Sequence, residues 1–347
     1  NTEGQLGNDS TTESTIPVAV DGMDGTTSRA VRVSEGYYHS CEVLDTGAVN
    51  CWGRNEYGQL GDGSNSDSNT TVSVSGIDGT TEKAVSVSAG ERHSCAVLET
   101  GAVNCWGYNE YGQLGDGSNN DSTTPVAVSG IDGTTNNAVS VAGGNYHSCA
   151  VLETGAVNCW GRNTEGQLGN DSTTESTIPV AVDGMDGITK KAASISIGYS
   201  HSCAVLDTGA INCWGYNGYG QLGDGTEYDS TSPVAVSVID GTTNKAVSVS
   251  TGVSHSCAVL DTGAANCWGW NPYGQLGNDS TTSSSTPGAV NGIDGSTNKA
   301  VSISIGTSHS CSVLDTGAVN CWGLNGDGQL GDDSITSRYT PVAVVWP

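Results

Sequence analysis

The residues best suited to chemistry recur in one short pattern, typified by "HSCAVLETGAVNCWG" at 93–107. A histidine (His93), two cysteines ten residues apart (Cys95 and Cys105) and a tryptophan (Trp106) could serve several ends. They could form a nucleophile–base pair, most of a zinc site, a redox pair or a disulfide staple. The pattern occurs six times. Its cysteines pair as Cys41 with Cys51, Cys95 with Cys105, Cys149 with Cys159, Cys203 with Cys213, Cys257 with Cys267 and Cys311 with Cys321. The histidines are His39, His93, His147, His201, His255 and His309, so all 12 cysteines and all 6 histidines lie in these copies. A catalytic pair needs one distinctive place where a third group orients the base. Six equal copies speak for structure, and no enzyme and no cofactor are expected. A zinc site would need a fourth ligand, which the motif lacks.

The elements that must position these residues follow from their period. Each pair is offset from the last by 54 residues, and "GQLG" begins at Gly4, Gly58, Gly112, Gly166, Gly220, Gly274 and Gly328 with the same offset. Residues 1–25 and 163–187 are identical. Such self-similarity signals a solenoid, a propeller or an array, built here as one domain over 1–347. Each unit reads as four strands, A to D, at 83–90, 93–99, 101–107 and 124–130 in the second unit. "ETG" or "DTG" makes a three-residue hairpin between B and C, with glycine at the left-handed position. Small and apolar residues on both faces of B suit a sheet covered on each side. Radial stacking of four-stranded sheets leaves only short edges. The expected fold is therefore an all-β propeller of four-stranded antiparallel blades, with six full repeats and a partial seventh. Six blades is the preferred count and seven the alternative, because seven D strands are expected (first at 16–20, last at 340–344) against six A, B and C strands.

Pairs across the hairpin at Asp45-Thr46-Gly47 sum to 92, which puts Cys41 opposite Cys51. Opposed residues of a non-hydrogen-bonded pair have Cα atoms about 4.5 Å apart, within reach of a disulfide. Each bridge would contribute on the order of 2–3 kcal/mol. Buried free thiols and a Cys-Cys-His metal site remain the alternatives.

The extended pattern "GxxHSCAVLxTGAVNCWGxNxxGQLGDG" resembles the repeat of the regulator of chromosome condensation family. The resemblance covers essentially the whole chain. It implies a β-propeller in which the histidine is a framework residue and the tryptophan packs between blades. Light-sensing members carry tryptophan and arginine before the histidine. Here those slots read Tyr37-Tyr38, Glu91-Arg92, Asn145-Tyr146, Tyr199-Ser200, Val253-Ser254 and Thr307-Ser308.

The units differ from one another at those slots and around the Asn after Trp-Gly. Because strand direction alternates, both patches emerge on one propeller face. They hold Tyr37, Tyr38, Arg54, Tyr57, Arg92, Tyr108, Tyr111, Tyr146, Arg162, Tyr199, Tyr216, Tyr219, Trp270 and Tyr273. Tyrosine, tryptophan and arginine are enriched in binding hot spots. The opposite face carries a carboxylate from each B–C hairpin and D–A loop, such as Glu99 and Asp78, as a solvated acidic surface with calcium as the alternative. The net charge of -26 argues against nucleic acid, and no run of 18 apolar residues spans a membrane. The chain begins at Asn1 without a methionine and shows no signal peptide, so either a mature form or a trimmed piece of a longer chain is expected.

The expected function is a secreted or cell-surface protein-binding scaffold, adhesive or assembly module. A carbohydrate-binding propeller and a secreted enzyme inhibitor are the alternatives. Self-assembly is a further option, because a spare D strand offers an edge to a neighbouring chain.

Overall fold

The computed structural model describes residues 1–23, 25–26 and 29–347. Its strands form six four-stranded antiparallel sheets, each in the order A-B-C-D. Blade 2 shows the plan, with A at Ala84–Ala89, B at His93–Leu98, C at Ala102–Gly107 and D at Ser122–Asp132. The other blades begin at Ala30, Ala138, Ala192, Ala246 and Ala300. No helix occurs among the described residues, and none is long and apolar enough to cross a membrane.

The expected hairpin register holds in every blade. Cys95 faces Cys105 and His93 faces Gly107, and the other five blades repeat the match. All six expected cysteine pairs are disulfides. Cys41 bonds to Cys51, Cys95 to Cys105, Cys149 to Cys159, and Cys257 to Cys267, each with Cα atoms 4.0 Å apart. Cys203 bonds to Cys213 and Cys311 to Cys321, each with Cα atoms 4.1 Å apart. With both sulfurs of each pair bonded to one another, the free-thiol and metal-site alternatives fall away.

The core lies between blades rather than within them. Between blades 2 and 3, Cys95, Val97, Val103, Cys105, Leu114, Val128 and Ile131 pack on Ala138, Val141, Ala150, Leu152 and Trp160. Strand B of blade 2 is buried along its whole length, as a central strand covered on both sides must be.

One expectation is corrected. Residues 16–20 are not a strand, and no strand precedes Ala30 among the described residues. A D strand needs the C strand of its own blade as ladder partner, and that sector has none. The segment instead lies along the outer rim. Gln5 O accepts from Trp52 Nε1 of blade 1 at 2.8 Å, and Thr15 O accepts from Asp333 N of blade 6 at 3.1 Å. The last D strand is shorter than the others, at Arg338–Ala343.

Candidate binding face

The frame that holds the loops is a hydrogen-bonded relay across each seam. Trp106 Nε1 and Ser94 Oγ both donate to Gln59 O of the preceding blade, each at 2.9 Å. His39 Nε2 of that blade lies 2.7 Å from Ser94 Oγ. Since the serine proton is committed to Gln59, the histidine donates from Nε2 and its Nδ1 stays bare and unpartnered. Burial holds the imidazoles far below their ordinary 6.5, at about 3 for His39 and about 4 for His93. These histidines are therefore neutral framework donors.

Two glycines are required by close approach. A Cβ on Gly61, whose φ is +72°, would lie 2.7 Å from Trp106 Nε1, so "GQLG" is the socket for the next blade's tryptophan. A Cβ on Gly36 would meet Gly90 O at 2.3 Å, where two A–B loops touch.

On this frame the variable loop residues come together in three groups. In blade 1, Tyr37 and Tyr38 have ring centroids 4.7 Å apart, and Arg54 stands 5.1 Å from the Tyr38 ring. The largest group runs across blades 1 to 4. Arg92 lies 5.3 Å from the Tyr57 ring and 5.9 Å from Tyr108. Arg162 lies 5.7 Å from Tyr111 and 5.8 Å from Tyr146. Tyr57–Tyr108 at 4.8 Å, Tyr111–Tyr146 at 5.1 Å and Tyr146–Tyr199 at 6.3 Å complete it. The third group, Tyr216, Tyr219, Trp270 and Tyr273, is linked by two edge-to-face contacts and one tilted contact over 5.6–6.2 Å. All fourteen residues singled out by the repeat comparison thus lie in these contacts. Blade 6 contributes no aromatic ring, because Leu324 and Asp327 occupy its slots.

These contacts make the face both firm and available. Cation–π pairs of this kind contribute about 0.5–1 kcal/mol at exposed sites, enough to restrict the arginines. Tyr37, Tyr199, Tyr219 and Tyr273 remain exposed, and the others are half-buried. Burial raises the Tyr38, Tyr146 and Tyr216 phenols, and burial with the Glu110 carboxylate raises Tyr108. They stay neutral hydroxyl donors into alkaline solution. Burial also raises Glu91, only partly offset by Arg92, with which it pairs at 3.2 Å.

Sequence reasoning missed two features. The face surrounds a central cavity of 590 Å³, lined by the A strands and A–B loops of all six blades. At its mouth Asn145 is 3% exposed, with neither side-chain polar atom hydrogen-bonded. Asn145 stood out only as a variable slot, and nothing in its sequence signalled burial. The opposite face resolves more simply. Asp78 Oδ1 accepts from Thr80 N and Thr81 N at 2.7 and 2.8 Å, which holds its carboxyl at about 2. Such aspartates cap their own turns, and no group of three or more potential ligands that could hold a metal ion occurs among the described residues.

The RCC1-like domain family matches residues 1–346. This chain belongs to that family. The RCC1-like propeller is 32% identical over 332 residues to the ultraviolet-B receptor UVR8 of Arabidopsis thaliana, covering 95% of this chain and 73% of the receptor. It is 28% identical over 341 residues to the human E3 ubiquitin-protein ligase HERC2, spanning 98% of this chain but only 7% of the ligase. Human WBSCR16 superposes with a TM-score of 0.85 at 21% identity, over 100% of this chain and 92% of that one. Yeast Prp20p, studied with its binding to Gsp1p and histones, superposes with a TM-score of 0.82 at 21% identity, over 95% and 80%. At these identities the two structures establish the fold alone.

Proposed function

We propose that this RCC1-like propeller is a non-enzymatic protein-binding scaffold that works outside the cell or at its surface and docks its partner on the aromatic–arginine face. The observation that carries the reading is the group spanning Tyr57 to Tyr199. There, residues that vary between repeats nevertheless contact one another across four blades. Unconstrained loop positions have no reason to converge on tyrosine and arginine, whereas hot spots are enriched in them. The partners named for yeast Prp20p are proteins, which favours a protein partner over a glycan. Six disulfides and no free cysteine among the described residues support an oxidising compartment.

The test is capture from the source's extracellular fraction by the wild-type protein and by a Tyr108→Ala/Tyr111→Ala/Tyr146→Ala variant of equal thermal stability. Loss of a specific protein in the variant is expected, and undiminished capture overturns the reading. Glycan-array binding abolished by Tyr111→Ala and Tyr219→Ala would replace the protein partner with a sugar. Thiol counting on unreduced protein from the native source tests the compartment: none is expected, and twelve free thiols overturn it.

A further inference from the structure

Behind the glycine of each A–B loop the blades carry, in order, Tyr37, Glu91, Asn145, Tyr199, Val253 and Thr307. Close backbone approach sets the first four side by side at the mouth of the central cavity, which all four line. Tyr37 N donates to Gly90 O at 3.3 Å, and Glu91 N to Gly144 O at 3.0 Å. A Cβ on Gly144 would lie 2.7 Å from Gly198 O, so the third and fourth loops touch as well. Tyr37 and Tyr199 are 44% and 40% exposed. Two free rings therefore flank a carboxylate and an amide.

Neither polar group is fully used within the fold. The Glu91 side chain is 11% exposed, and its one partner is Arg92, which reaches Oε1 at 3.2 Å. Among the described residues Oε2 accepts no hydrogen bond. Arg54 and the Tyr38 and Tyr146 hydroxyls lie close enough to share its field. Asn145 is 3% exposed, with both Nδ2 and Oδ1 unpaired. A buried amide with both ends unmet is costly, and a bound group that meets them recovers that cost. The C–D loops around the mouth add Asp62, Asp67, Asp116, Asp121, Asp224 and Asp229, in a chain of net charge -26. Such a field draws cations in and turns anions away.

We propose that the cavity mouth takes one protruding lysine of the partner protein, its ammonium held by Glu91 Oε2 and Asn145 Oδ1 between the Tyr37 and Tyr199 rings. An ammonium brings three donors and no acceptor, which suits two oxygens and the faces of tyrosine rings. Arginine fits less well. Its fork pairs best with both oxygens of a carboxylate, and Arg92 already holds Oε1. Asn145 Nδ2 needs an acceptor in turn. A peptide supplies one from its backbone, whereas a free amine has none, so the lysine belongs to a chain. The amide reaches no solvent in the free protein and turns towards the cavity as the lysine enters. This inference rests on the aromatic face being the docking surface and names the group that anchors there.

The experiment titrates the peptide acetyl-Gly-Gly-Lys-Gly-Gly-amide into the intact protein at physiological salt and follows the peptide by NMR. Saturable binding with a Kd of about 1 mM is expected, the scale of a single small anchor. Glu91→Gln weakens it roughly tenfold and Asn145→Ala about fivefold. Asn145→Ala leaves the thermal midpoint unlowered, because it removes an amide that bonds nothing. Asp327→Asn, an exposed carboxylate of blade 6 on the same face, leaves the affinity unchanged, and norleucine in place of lysine abolishes binding. No saturable binding, or undiminished binding in both mouth variants, overturns the site. Equal weakening by Asp327→Asn reduces it to the general acidic field and overturns it too. Spermidine bound as tightly as the peptide, with the same dependence on Asn145, makes the ligand a free amine and overturns the lysine. Partner capture separates this inference from the reading beneath it. If Glu91→Gln and Asn145→Ala capture as wild type does while the tyrosine variant fails, the face stands and the lysine falls. If the peptide binds as expected while the tyrosine variant still captures, the docking face falls and the lysine site survives alone.

Discussion

The seams between blades and the aromatic face use the same repeat in opposite ways. In the seams every unit carries the same residues, and each is buried and hydrogen-bonded to the next blade: His93, Ser148, Gln113, Trp160. On the face every unit differs, and the residues are half-exposed and touch across blades through rings and guanidiniums. Constancy between repeats therefore marks the frame, and variation marks the surface left free to acquire a partner. Changes in the seam should cost stability, while changes on the face should leave stability nearly untouched.

Acid is the harshest test of the seam. The seam histidines fall to about 3 or 4 when folded, against an ordinary 6.5. The unfolded chain binds more protons between these values, so the stability present above pH 6.5 is lost as pH falls towards 4. Each seam histidine should cost about 2 kcal/mol between pH 7.5 and pH 5. The thermal midpoint should fall steeply over that range, and a flat profile would break the comparison. Trp160→Ala should come next, at about 3–5 kcal/mol by denaturant unfolding, since the ring is fully buried in the neighbouring blade's socket. Removing the Cys149–Cys159 bridge by the double serine variant should cost on the order of 2–3 kcal/mol, measured the same way. Ser148→Ala, which leaves His93 Nε2 without its acceptor, should cost about 1–3 kcal/mol. Tyr108→Ala on the face should stay near 0.5 kcal/mol in stability while weakening partner capture. A face variant as destabilising as the tryptophan would erase the distinction drawn here.

The frame was legible in the sequence because its signals are local and periodic. The Asp45-Thr46-Gly47 hairpin dictates which cysteines oppose one another, and that register holds. The same spacing carries through to the last two blades, where Cys267 and Cys321 meet the partners expected of them. The fourteen face residues were legible for a related reason: alternating strand direction decides which loops share an end. Their division into three groups was not. It depends on the separation of loops in neighbouring blades, which no single unit encodes. Nor was the His–Ser bond legible, because its partners lie 55 residues apart and belong to different blades.

By itself the sequence determined the strand order, the hairpin register, the six cysteine pairs and the face that varies. All of these follow from spacings within one 54-residue unit. Only the tertiary structure decided what the ends of the array do. Residues 1–25 match 163–187 letter for letter, yet Ser176–Asp186 is a strand and the corresponding 14–23 is not. A β-strand is defined by the ladder it joins, and identical residues without a neighbouring C strand have no ladder to join.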